Sequence, residues 1–277
     1  MSAKPVVNAR MYSATPAVRE AWKTLLRWVL ARAGLDWDVI DYDAPAPLSA
    51  LWARDDLGLA LMCGLPFARR AEGDGRRAMQ PVLVAAPVPS PARYGGAPVY
   101  FTDMVVRADA SFERIEDTFG GTVGYTLADS MSGGVAFANH LAAYREREGT
   151  RLYAGAVGDL VHARGVIEAL ADGRIDIGPL DSYYHDLLRH DEPALAALVR
   201  VIASTGPMPI PPLVATAPIA PPDLRRLRES LAEVALAGEL RPLRERLLLA
   251  GFASADPASY DRLAATARRP FPPFEEL

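Results

Sequence analysis

The chain has a single cysteine, Cys63, and only four histidines, His140, His162, His185 and His190, in 277 residues. One thiol excludes an internal disulfide, and the histidines fall at no spacing used by structural metal sites. Long apolar runs are missing too: no stretch approaches the roughly 18 residues that a spanning helix needs, so the chain reads as not membrane-spanning. An excess of positive charge is also absent. The formal net charge is −4, and the arginines are dispersed through helical stretches such as "DLRRLRESLAE", where a solvated face accounts for them. That excludes nucleic acid as a partner. The start, "MSAKPVVNARMYSATP", lacks the basic and apolar regions of a secretory signal. As it stands the sequence reads as cytoplasmic, with a periplasmic location as the alternative if a signal was removed upstream. No Ser-His-Asp order, paired carboxylates or Gly-x-x-x-x-Gly-Lys loop is found, so no catalytic residue, no cofactor and no metal are assigned.

What is there is an alternation of strand-like and helix-like segments in a chain that is half apolar and 23% charged. "PVVNARMYS" reads as a strand and "TPAVREAWKTLLRWVLARAGL" as an amphipathic helix, with Trp22, Leu25, Leu26, Val29 and Leu30 on one face and Gly34 as its stop. "LGLALMCG" suits a strand buried on both faces, "LPFARRAEGDGRRAMQP" a loop, and "LRPLRERLLLAG" a helix. The proline-rich tail "RRPFPPFEEL" predicts a segment lying across a surface. Two long extended stretches, Val99–Arg107 and Val199–Pro207, stand where a chain would cross between lobes. The order predicts an α/β protein of two lobes: residues 1–102 with 205–277 form the first, and residues 103–204 form an inserted second. The crossovers are its hinge.

The stretch "YTLADSMSGGVAF" places Ser130, Ser132, Gly133 and Gly134 where an apolar strand gives way to a helix expected over 133–148. Helix N-termini expose unpaired N–H groups, hydroxyls add donors, and glycine lets a ligand approach the backbone, so the turn fits a seat for an anion. It equally fits an ordinary serine cap on a surface helix. Cys63, inside a buried-strand pattern with no adjacent base, reads as a small apolar core residue.

Five stretches, "LMCGLPF", "PARYGGAPVYFTDMVVR", "ADSMSGG", "GDLVHARGVIEALADGRIDIGPLDSYY" and "STGPMPIPPLVA", occur in the order seen in one family. In them the chain resembles the phosphate/phosphonate-binding components of ABC transporters, within the type 2 periplasmic binding proteins. The resemblance implies a solute-binding protein, without catalytic activity, whose two lobes close over a small oxyanion (phosphate, a phosphonate or a related phosphorylated compound) and which serves an ABC permease as a monomer. It implies that Ser130, Ser132 and Gly133 hold the anionic oxygens and that His162 adds a charged donor. Asp181 would take an amino group of the ligand, Tyr100 would supply an aromatic contact, and Tyr12 would sit after the first strand. His162 and Asp181 each also read as helix caps, and of Tyr183 and Tyr184 only one can face a ligand. A cytoplasmic enzyme or ligand sensor on the same fold is the alternative.

Overall fold

A computed structural model describes residues 4–43, 46–71, 81–269 and 271–277. Strand β1 (Val6–Asn8) is wholly buried and leads through a 3-10 turn at Arg10–Tyr12 into α1 (Pro16–Ala33). The helix starts where the sequence says it should. Thr15 accepts from the Val18 amide at 3.1 Å, Pro16 fills the first helical position, and Gly34 ends the helix in the left-handed region at φ 63°. Its buried face carries Val18, Trp22, Leu25, Leu26, Val29 and Leu30, the stripe expected from periodicity.

The chain continues through β2 (Asp38–Val39), α2 (Leu48–Trp52), β3 (Leu57–Leu61), α3 (Gly64–Ala68) and β4 (Val82–Pro89). The segment read as a loop over 65–81 is instead helical as far as Ala71, and residues 72–80 lie outside the described residues. Next come β5 (Val99–Tyr100), β6 (Thr102–Arg107), β7 (Thr122–Gly124), α4 (Ala136–Glu148), β8 (Gly155–Val157), α5 (Ala163–Ala171), β9 (Gly178–Asp181), α6 (Ser182–Asp191), α7 (Pro193–Ala196) and β10 (Val199–Ser204). The rest is β11 (Met208–Pro209), β12 (Leu213–Ala215), α8 (Pro221–Glu233), α9 (Arg241–Arg246), β13 (Leu249–Ala253) and α10 (Asp261–Ala267). The helix expected over 240–251 therefore stops at Arg246. Leu248 turns the chain at φ 47°, and the apolar run that follows pairs antiparallel with β4. A short apolar run is compatible with either period, and here the open edge of β4 decides it.

Residues 1–99 and 209–261 form one compact unit, and residues 100–208 and 262–277 form another. The first is built on a six-stranded sheet in the order β13-β4-β12-β3-β1-β2. β1 is parallel to both β2 and β3, while β12 and β13 enter antiparallel. Helix α1 packs against α8 and α9 in this unit. The second contains the antiparallel sheet β10-β6-β9 and the parallel pair β7-β8.

Residues 262–277, expected with the first lobe, belong to the second unit. The tail does not simply lie on a surface. Phe274 and Leu277 are buried among Val123, Phe137, Leu141, Leu152 and Ile177. Phe274 stacks on Tyr125 at 4.3 Å between centroids and lies 6.0 Å from Phe137, while the Leu277 carbonyl accepts from the Leu152 amide. Prolines stop a regular helix, but they do not stop two apolar side chains from entering a core. Phe274→Ala should cost about 3–5 kcal/mol, the range for a buried aromatic truncated in a close-packed interior. Urea unfolding followed by circular dichroism checks this; an unchanged midpoint would mean that the tail packs without contributing.

Candidate functional site

In the second unit the strands that matter point one way. β7 and β8 are parallel, and Val123 makes a parallel bridge to Ile177 in the segment leading into β9. Each strand ends at the start of a helix, and each helix starts on a residue singled out by the sequence. Ser130 Oγ accepts from the Gly133 amide at 3.3 Å, ahead of α4. His162 Nδ1 accepts from the Gly165 amide at 3.2 Å, ahead of α5. Asp181 Oδ1 accepts from the amides of Tyr183 at 3.0 Å and Tyr184 at 3.1 Å, ahead of α6. Three partially positive helix ends thus stand at the carboxyl ends of co-directional strands.

Hydrogen bonds stitch these ends together. The Thr126 amide donates to Gly133 O at 3.0 Å, and Thr126 O accepts from the Val161 amide at 3.4 Å. The segment after β7 therefore ties the serine turn to the turn that carries His162. Thr102 Oγ1 donates to Ser132 O at 3.3 Å, and Thr102 is the cross-strand partner of Asp181. Ser130, Ser132, Gly133, His162 and Asp181 are consequently linked within one unit.

The serine turn is not the plain α-helical start expected over 133–148. Met131–Val135 form a π-helical turn, in which Ser130 O accepts from both Gly134 N at 3.1 Å and Val135 N at 2.9 Å. Such wide turns are uncommon and gather at functional sites. Packing gives both glycines a reason of their own. A Cβ on Gly133 would fall 1.7 Å from Thr126 Oγ1, and one on Gly134 would fall 2.4 Å from Leu127 O. Removing either hydrogen atom in favour of a methyl group would drive the turn away from the strand end.

The imidazole of His162 is divided between two surroundings: Nδ1 is taken by the Gly165 amide, and Nε2 is the ring's remaining polar atom. Arg164, two residues on, is held by Glu192 at 2.7 Å. Asp181 is both a cap and a carboxylate at the strand end, so the two readings of that residue coexist. Of the adjacent tyrosines, Tyr183 is fully buried, and burial pushes its phenol far above the ordinary range. Tyr184 is half-buried.

Tyr100 and Tyr12 are both buried. Tyr100, at the end of β5, is 1% exposed. Tyr12 closes the 3-10 turn of the first unit and is completely buried. Cys63 is buried, as its apolar surroundings imply. Sequence reasoning passed over Thr126 and the strained turn between β8 and α5. Asp159 and Val161 there adopt φ 54° and 66°, and for a β-branched residue that is an outlier. In "GDLVH" Asp159 is of a type that tolerates the left-handed region, but nothing in the stretch signals that Val161 adopts it. Among the described residues no three or more His, Cys, Asp or Glu side chains gather as metal ligands, and no helix is long and apolar enough to cross a membrane.

The fold is shared with solved structures. PhnD1 of Prochlorococcus marinus, in complex with methylphosphonate, superposes with a TM-score of 0.76 at 12% identity, over 96% of this chain and 97% of that one. A binding protein component of an ABC phosphonate transporter from Pseudomonas aeruginosa gives 0.72 at 16% identity, over 99% and 92%. A Xanthomonas citri protein bound to ATP gives 0.65 at 21% identity, over 97% and 98%. These likenesses show a periplasmic-binding-protein fold. No curated protein matches the chain. Residues 12–260 match the family described as ABC transporter, phosphonate, periplasmic substrate-binding protein. The chain therefore belongs to the periplasmic substrate-binding proteins of phosphonate ABC transporters.

Proposed function

We propose that the chain binds a small phosphorus oxyanion, a phosphonate or phosphorylated compound, at the capped helix ends of its second unit and delivers it to an ABC permease without altering it. The observation that carries this reading is the convergence of three helix N-termini, capped by Ser130, His162 and Asp181, at the ends of co-directional strands. A serine hydroxyl can accept an amide hydrogen and donate its own, so Ser130 caps α4 while offering a proton to the anion. Ser132 adds a second hydroxyl, and His162 adds its Nε2–H. Hydrogen bonds to an ionised acceptor are about twice as strong as neutral ones, which lets neutral donors hold an anion without lysine or arginine. Asp181 would repel a second negative group and favour a ligand with an amino group on its far side. The ligands of two fold neighbours, methylphosphonate and ATP, share phosphorus-bound anionic oxygens, which supports the class and leaves the organic part open.

The family supports periplasmic placement and a permease partner over the cytoplasmic reading of the sequence. Fractionating cells that express the native gene should recover the protein, with a processed N-terminus, in the periplasmic fraction; recovery in the cytosol would favour the sensor reading.

The donors can be separated from the caps. Glycine keeps most of the capping preference of serine, so Ser130→Gly combined with Ser132→Ala should leave the melting temperature nearly unchanged. It should weaken oxyanion binding by about 1.5–3 kcal/mol in calorimetry, the range for hydrogen bonds to a charged group. Parental affinity would refute the assignment. His162→Asn retains a good cap and removes the Nε2 donor, whereas His162→Ala loses both functions. We expect the asparagine variant to keep parental stability and lose affinity, and the alanine variant to lose about 1 kcal/mol of stability as well. Equal affinity in parent and His162→Asn would confine His162 to capping.

A further inference from the structure

Beneath the first turn of α6 lies a polar group for which the binding reading has no use. His185, one turn into the helix, is completely buried, and its Nδ1 stands 3.5 Å from Asp103 Oδ2, also completely buried, on β6. Asp103 Oδ1 accepts from the Ser204 hydroxyl at 2.6 Å, and Ser204 is its cross-strand partner on β10. Among the described residues neither ring nitrogen of His185 makes a hydrogen bond, so the Asp103 carboxylate meets the imidazole at ion-pair distance and not through a hydrogen bond. A carboxylate and an imidazole withdrawn from water cost several kcal/mol unless they face each other, and apolar residues of similar volume commonly do as well or better for stability. Their presence calls for a use other than stability.

Their position supplies one. Ser182, the first residue of α6, receives the Phe101 amide on its hydroxyl at 2.9 Å and donates its own amide to Phe101 O at 3.0 Å. Three residues further along the helix, on the same helix face, His185 meets Asp103, two residues beyond Phe101 in the chain. The helix is thus tied to this stretch at two successive points. Apolar packing is non-directional and would let the helix slide or turn over the sheet, whereas a polar pair fixes its register.

We propose that Asp103 and His185 are a buried positioning pair that fixes α6 on β6 and thereby sets where Asp181 and the first-turn amides of α6 stand toward a ligand. The affinity consequence rests on the binding reading above; the positioning itself does not.

Hydrogen exchange without ligand tests the positioning. In Asp103→Asn the Tyr183 and Tyr184 amides, which donate to Asp181, should exchange about tenfold faster than in the parent, equivalent to about 1.4 kcal/mol. Because removing one member of a buried pair can unfold the unit, a second variant replaces the whole array: Asp103→Leu, His185→Leu and Ser204→Ala together. A purely structural array would be replaced without loss. A positioning pair would not: this variant should melt at or above the parental temperature, keep the fast exchange, and bind methylphosphonate about tenfold more weakly. Parental exchange at Tyr183 and Tyr184 in the triple variant would overturn the proposal. If the parent itself fails to bind methylphosphonate, the ligand reading falls, and the exchange rates still decide the pair.

Discussion

Every α-helix begins with amide groups that its own backbone cannot satisfy, and in the second unit that requirement organises the loops. An amide left buried without an acceptor costs about 1–3 kcal/mol, so the chain must bring an acceptor to each helix start. At α4, α5 and α6 it does so with a different side chain each time: a hydroxyl at Ser130, an imidazole at His162 and a carboxylate at Asp181. Because the strands before these helices run in one direction, the caps fall at one edge of the unit. Stability thus collects polar groups where a ligand could use them. The same fact explains why each of these residues supports two readings in the sequence.

Much of the architecture was legible because helix signals are local. Thr15, Pro16 and Gly34 bracket α1, and its apolar stripe is the one that is buried. The positions of Ser130, His162 and Asp181 were legible for the same reason, since caps sit next to the helices they begin. What could not be read depends on distant partners. The run after Arg246 forms a strand because β4 has an open edge, and Phe274 enters a core built largely from residues between Met104 and Ile177. At Gly133 and Gly134 the space a side chain would take holds Thr126 and the Leu127 carbonyl, which lie at a distance the local sequence does not announce. A sequence shows that a side chain is missing but not what fills its place.

His162 is a further case. The residue type alone does not say which ring nitrogen is occupied within the protein and which is left over. The Gly165 amide pointing at Nδ1 decides it, and leaves Nε2 as the ring's remaining polar atom.

A donor set of amides, hydroxyls and one imidazole would bear on how such a protein can release what it holds. Lysine or arginine in the site would give a permanent positive field, and the free site would then attract any anion. Fixed dipoles and neutral hydroxyls discriminate by geometry instead, because they act only on an acceptor placed along their N–H and O–H directions. Their strength then depends on how firmly the helix starts are held, and a displacement of a few tenths of an ångström would weaken several bonds at once. On that view the polar contacts behind the site, Ser182 with Phe101 and His185 with Asp103, matter as much to affinity as the groups that touch the ligand.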